Sequence, residues 1–326
     1  MLDATPQTPT FSISIEWENA RFAELDRTRQ MLRALREQLI ALPPPREPPQ
    51  INLLYDHTVI DGAMVRRVVE EELQPKTLPA VTKIIPNEGL RYYDQKNYGA
   101  SISEGELTIF LDSDVIPEAG WLEALIDSFR NPAVGAVAGE TYIEYDNFYS
   151  KAFALFWFFP LRDTAEDLRE TDHFHANNSA FRSEIFAANP FPTLPTFRGQ
   201  CVALGRALRE KGIGLYVQKR ARVGHPVPVT LSYFFIRALN NGRDEFILSN
   251  VIERRNRPLL RQAYWNYRNG LVASWKKIKN RRKDVGLSVP GAAAAYAVAV
   301  LYFTVKAVGE TVTYFRPNLI SRIFPV

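Results

Sequence analysis

Apolar and small polar residues alternate over residues 11–15, Phe-Ser-Ile-Ser-Ile, which is the period of a strand. The period then changes. Phe22, Leu25, Met31, Leu32, Leu35 and Leu39 fall near helical spacing across residues 20–39. Pro43, Pro44 and Pro45 stop that helix, because proline has no amide hydrogen and a fixed φ. Apolar runs at residues 51–55 and 107–111 predict two strands, the first ending on Asp56 and the second on Asp112-Ser113-Asp114. Residues 81–85, 134–137 and 214–218 predict further strands, and residues 62–73, 95–103, 121–129 and 202–211 predict helices. The chain is then expected to turn at Gly224-His225-Pro226. Strands alternating with helices imply an α/β fold with a largely parallel sheet and crossover connections.

Two segments break this rhythm. Residues 152–160 form a dense aromatic run with Phe153, Phe156, Trp157 and Phe159, followed by an acidic stretch over residues 163–172. Such a run suits a membrane surface or an acceptor groove, or equally a helix packed into a core. It is too short to span a bilayer, which takes about 20 helical residues. Residues 285–305 carry no charge, and between Glu253 and Asp284 every charged residue is basic, from Arg254 to Lys283.

Charge and composition narrow the choices. The net charge is +4, and 46% hydrophobic with 23% charged residues is ordinary for a globular chain, against a largely disordered one. A basic stretch suits nucleic acid or a solvated helix, but one beside an uncharged run reads better as a cytoplasmic membrane anchor, without nucleic acid as a partner. Each Lys or Arg near anionic lipid contributes about 1 kcal/mol. Residues 285–305 are long enough to span, yet Lys306 and Glu310 follow at helical spacing, favouring a monotopic or re-entrant arrangement. Cys201 is the sole cysteine, so no internal disulfide forms and a reducing compartment is expected. No segment at the start combines a basic region with an apolar core, so no signal peptide is expected.

In a parallel α/β sheet, ligands bind beyond the carboxyl ends of the strands, where Asp56 and the Asp112–Asp114 pair fall. Two carboxylates one residue apart, on the turn leaving a buried strand, suit Mg2+ or Mn2+ completed by phosphate oxygens. The alternative is a turn with an N-cap, since Asp and Ser also serve there.

From residue 95 to residue 139 the chain resembles the donor-binding half of family 2 glycosyltransferases. The matching pieces are Asn97 and Gly99, Gly105-Glu106, Phe110-Leu111-Asp112-Ser113-Asp114, Pro117, Trp121-Leu122 and the stretch from Val134 to Gly139. Asn177-Asn178-Ser179-Ala180-Phe181-Arg182 resembles the family's next motif, beside the acceptor, and Leu204 to Gly212 with His225 resembles its closing one. The resemblance implies a GT-A domain over residues 8–230 and a helical, membrane-associating extension over residues 231–326. It implies donor contacts from Asp56, Asp112 and Asn97, and metal ligation by Asp112, Asp114 and His225. Glu16 and Trp17 would line the base pocket, with Trp17 stacking on the base.

Where the family places an acidic pair with the general base, this chain has Gln200 and Cys201. Substitute bases are Asp172, His173 or His175, Glu140, or Cys201 itself as a thiolate; otherwise Cys201 is a small buried apolar residue. The expected activity is metal-dependent inverting transfer from a nucleotide-sugar donor, UDP-linked, to a lipid-linked or glycan acceptor of the cell envelope. The expected location is the cytoplasmic face of the membrane. The alternative is a catalytically silent nucleotide-sugar-binding protein at the membrane.

Overall fold

A computed structural model describes residues 9–18, 25–249 and 258–324. Phe22 and the basic residues Arg254, Arg255 and Arg257 lie outside the described residues. The chain divides into two compact units: Met1–Thr141 with Asp163–Thr193 and Gln200–His225, and Tyr142–Arg162 with Leu194–Gly199 and Pro226–Val326. Two segments earlier than residue 226, Tyr142–Arg162 and Leu194–Gly199, thus group with the C-terminal unit.

The first unit is built on a mixed sheet. Its parallel half runs β3 (Val81–Asn87), β2 (Gln50–Asp56), β1 (Phe11–Glu16) and β4 (Leu107–Asp112). Beyond β4 the order continues through β8 (Asn178–Arg182), β6 (Val134–Ile143), β9 (Gly214–His225) and β5 (Ile116–Pro117), with β7 (Leu168–Glu170) on β9. β8 is antiparallel to both β4 and β6. The connecting helices are α1 (Leu25–Ala41), α2 (Gly62–Glu72), α3 (Tyr92–Ser101) and α4 (Trp121–Ser128). α5 (Phe148–Phe156) belongs to the second unit, while α6 (Ser183–Ala188) and α7 (Gln200–Glu210) complete the first. β1 and β4 are buried along their whole length; β4 reads as a nearly continuous apolar run, while β1 alternates apolar residues with small buried serines.

β9 is longer than its apolar start predicts and ends at His225, within the expected turn. Ion pairs allow this. Lys219 is buried against Glu140, and Arg222 meets Glu118 at 3.0 Å, so charged residues sit in the strand without uncompensated charge.

The second unit is helical: α5, α8 (Leu231–Ile247), α9 (Leu259–Arg281), α10 (Val289–Phe315) and α11 (Leu319–Ile323). Asn147 and Ser150 form a capping box that starts α5. The aromatic run is core. Phe153, Phe156, Trp157 and Phe159 are buried among Phe234, Tyr302 and their neighbours, leaving Phe158 as the exposed ring, so a membrane-facing role for the whole run is not what this packing gives. α10 is long and apolar enough to cross a bilayer by length and composition. Ala292, Ala295, Ala299 and Tyr302 are buried in the unit's core, while Leu301, Val308 and Phe315 are exposed.

Candidate active site

The carboxyl ends of β1 and β4 lie side by side, with Glu16 level with Asp112 in the parallel register. Both side chains are buried. α3 supplies the countercharge. It begins at Tyr92, three residues before the helix predicted from sequence, so Tyr92 and Lys96 stand one turn apart on one face. Lys96 Nζ donates to Asp112 Oδ1 at 2.6 Å, and Tyr92 Oη lies 2.8 and 2.9 Å from the two carboxylate oxygens. The ammonium also lies 4.6 Å from the centre of the Tyr92 ring. Gly99 allows this close docking, since a Cβ there would fall 2.0 Å from Ser14 Oγ.

Burial raises the Asp112 pKa above the usual carboxylate range, with Lys96 pulling it back down. Burial, and then the Asp112 charge, raises Glu16 further. Glu16 also accepts the Glu18 amide at 2.9 Å. Glu16, expected to line the base pocket, is fully buried here and is an electrostatic neighbour of Asp112. Trp17, expected to stack on the base, is 1% exposed and packs in the main core.

Asp114 and His225 come from distant parts of the chain. β5 pairs antiparallel with the end of β9, with Ile116 opposite Gly224, and this brings the turn after β4 up to His225. His225 Nε2 lies 4.0 Å from Asp114 Oδ2, and both residues are largely buried. Arg27 of α1 fastens the arrangement. Its guanidinium donates to the Asp114 carbonyl through Nε and to the Gly224 carbonyl through Nη2 at 2.7 Å.

Carboxylate oxygen and imidazole nitrogen form a donor set that fits a divalent ion, because two bonds of about 2.1 Å reach at most about 4.2 Å. Among the described residues, no group of three or more His, Cys, Asp or Glu side chains forms a metal cage. Asp112, expected as a further ligand, accepts hydrogen bonds from Lys96 and Tyr92. An ion here would be completed by ligand oxygens, as is usual for Mg2+ at phosphate sites.

The other expected donor contacts have internal partners. Asp56 accepts from the Thr58 amide at 2.8 Å, the Thr58 hydroxyl at 2.6 Å and the Gly89 amide at 3.1 Å, and the Thr58 hydrogen bond lowers its pKa. It remains partly exposed at the open end of β2. Asn97 is different. Its amide pairs both ways with the Phe191 backbone, donating to the carbonyl at 2.9 Å and accepting the amide at 3.0 Å, so it tethers a loop rather than facing a ligand. Asn178 is fully buried, accepting from Trp121 Nε1 at 2.8 Å and donating to the Ala221 carbonyl at 3.0 Å.

The candidate bases separate clearly. Asp172 is exposed and ion-paired with Arg209 at 3.1 Å. Glu140 is buried against Lys219. The Cys201 thiol lies 3.4 Å from Tyr93 Oη, and burial pushes it up to about 11, which leaves almost no thiolate near neutrality. The loop carrying His175 abuts the strand end itself, since the Asp112 amide donates to the Asn177 carbonyl at 3.2 Å and the Asn178 amide to the His175 carbonyl at 3.4 Å. His173 sits in a turn with Thr171, whose hydroxyl donates to its carbonyl at 3.2 Å.

Sequence reasoning missed Lys96, Tyr92 and Arg27. Lys96 had a signal, because it stands next to Asn97 and one helical turn from Tyr92. Arg27 had none, since its partners are backbone carbonyls 87 and 197 residues away.

Comparison with known proteins gives the same frame. A sequence profile described as Glycosyl transferase family 2 matches residues 23–188. No curated protein matches. Among solved structures, mannosyltransferase PcManGT from Pyrobaculum calidifontis, in complex with GDP-Man and Mn2+, is similar with a TM-score of 0.59 at 15% identity. That match covers 96% of this chain and 88% of that one. GalNAc-T7 with UDP, GalNAc and Mn2+ matches with a TM-score of 0.47 at 12% identity, over 68% of this chain and 44% of that one. The PcManGT likeness shows the fold, an α/β GT-A architecture with C-terminal helices.

Proposed function

We propose, because this chain belongs to glycosyl transferase family 2 and so is a glycosyltransferase, that it moves a sugar from a nucleoside-diphosphate sugar to a lipid-linked or glycan acceptor with inversion. The observation that carries this reading is the convergence of Asp114 and His225, 4.0 Å apart and fastened by Arg27, beside the buried Asp112–Lys96 pair. Asp114 and His225 would hold Mn2+ or Mg2+. Bound there, the ion would supply charge neutralisation for the departing diphosphate. Lys96 opposes the effect of burial on Asp112 and holds its carboxylate at the end of β4. We assign the acceptor-side base to His175, whose loop abuts Asp112, in preference to exposed Asp172 and to Cys201.

The exposed apolar residues of α9 and α10, among them Trp265, Trp275, Leu301 and Phe315, with the basic residues of α9, support attachment to the cytoplasmic surface of a membrane. A second reading rests on Gln200 and Cys201: with no carboxylate at that position, the chain would bind a nucleotide sugar without turning it over.

A thermal-shift panel tests the donor site, using UDP, GDP, CMP and dTDP with Mn2+ or EDTA on wild type and Asp114→Ala. A ligand at a hundredfold excess over its Kd stabilises the native state by about 2.7 kcal/mol. A metal-dependent shift with one nucleotide, lost in the variant, supports the site and names the donor. Absence of any shift overturns it. Sugar release or transfer with that donor then separates the enzyme from the silent binder.

A further inference from the structure

In the helical unit, two arginines make no ion pair among the described residues. Arg198 and Arg237 converge on one indole, their guanidinium carbons 5.3 and 4.9 Å from the centre of the Trp157 ring. Among the described residues, neither guanidinium is in an ion pair or donates a side-chain hydrogen bond, although both residues are only partly exposed. Asp244, the carboxylate whose charge acts on Arg198, is occupied: it pairs with Arg243 at 2.8 Å and accepts the Arg198 backbone amide at 3.0 Å.

Other donors around the indole also lack partners. Arg237 Nε, Trp157 Nε1 and Tyr149 Oη are buried with no hydrogen-bond partner among the described residues, and Trp157 is 4% exposed. Burial, and then the neighbouring Arg237 charge, lowers the Arg198 pKa, and the more distant Asp244 charge offsets this only in part. The platform is rigid. Lys277 Nζ donates to the Trp157 and Phe159 carbonyls at 2.9 and 2.6 Å, fixing the segment that presents the indole. The rim is apolar, because the exposed Phe158 ring lies 5.6 Å from Arg198.

We propose that Arg198 and Arg237, seated on Trp157, bind the phosphate group of an anionic ligand. Planar guanidinium forks match phosphate oxygens in pairs, and among the described residues no carboxylate is in contact with either of these two. The group belongs either to a lipid headgroup, for which Phe158 supplies an apolar edge, or to a soluble phosphate. The site stands on its own geometry; only the further step of identifying its ligand as the sugar acceptor rests on the transferase reading.

The test compares the full-length wild type with an Arg198→Gln/Arg237→Gln double variant and an Arg261→Gln/Arg268→Gln control on α9. Vesicles of phosphatidylcholine, plain or containing phosphatidic acid, probe the lipid source, and inorganic phosphate in a thermal-shift assay probes the soluble one. Loss of phosphatidic-acid-dependent binding by about tenfold or more in the double variant, with a smaller loss in the control, supports a lipid phosphate. A phosphate-induced shift lost only in the double variant supports the soluble source. Wild-type binding to neither probe, or equal binding by wild type and double variant, overturns the site. The donor-induced shift serves as the folding control. If wild type shows none, the donor reading has failed separately, and circular dichroism with the unfolding midpoint reports folding instead.

Discussion

Lys96 Nζ stands 2.6 Å from Asp112 Oδ1 with the lysine side chain fully buried, so the strand end at the candidate active site is held by an ion pair out of water. Removing one partner of such a pair leaves an uncompensated buried charge and costs about 3–5 kcal/mol. Lys96→Met is therefore expected to lower the unfolding midpoint strongly, and Lys96→Arg to rescue little, because a planar fork does not fit where a compact ammonium sits. Denaturant melts of the two variants check this. A melt unchanged by Lys96→Met would remove the pair from the account.

His225 is expected to matter in proportion to the metal. His225→Ala should raise the Mn2+ concentration for half-maximal nucleotide-induced stabilisation by about tenfold or more while leaving the metal-free melt nearly unchanged, since losing one ligand weakens the ion and not the fold. Titration of Mn2+ at fixed nucleotide is the measurement. An unchanged half-point would put His225 outside the metal site.

The base assignment separates two neighbours. His175→Ala should lower kcat by about 10²–10⁴-fold with donor binding retained, the range for loss of a general base. Cys201→Ser should stay within about twofold, because a thiol held near 11 takes no proton at neutral pH. Steady-state rates of both variants decide between them, and a reversed order would move the role to Cys201.

Asp244 gives the helical unit a pH signature. Burial lifts its pKa to about 6, against about 3.9 in an unfolded chain. The folded state then holds the proton more tightly, so this contribution to stability is fully present below about pH 4 and is lost as pH rises through about 6. Relative to Asp244→Asn, wild type should be about 1 kcal/mol more favourable at pH 5 than at pH 7.5. Paired melts at the two values test it, and a constant difference would mean that Asp244 titrates normally.

α8 and α10 cross closely through two glycines. A Cβ on Gly242 would come 2.0 Å from the Lys306 carbonyl, and one on Gly309 would come 2.3 Å from the Leu239 carbonyl. Gly242→Ala and Gly309→Ala should each destabilise the helical unit by about 1–3 kcal/mol despite alanine's better helix propensity, because backbone cannot step aside as a side chain can. Limited proteolysis across residues 226–249 reads the effect. Unaltered protection would show that the crossing relaxes freely.

The order of elements from β1 to α4, apart from the two-residue β5, and the exit of Asp112-Ser113-Asp114 from a buried strand were legible in the chain, because apolar periodicity reports which backbone is covered. The family resemblance was legible for the same reason, as its motifs are local runs at strand ends. Tertiary structure decided the rest. Asp114 meets His225 only because a two-residue strand, β5, pairs with the far end of β9. Arg27 fastens both through backbone carbonyls that no side-chain pattern encodes. Glu16, Trp17 and Asn97 looked like ligand contacts because they stand at strand or helix positions near the site. Which way each side chain points, and whether another part of the fold already covers it, depends on packing between residues far apart in sequence. The aromatic run shows the same limit, since its composition suits a membrane or a core, and only its neighbours Phe234 and Tyr302 make it a core.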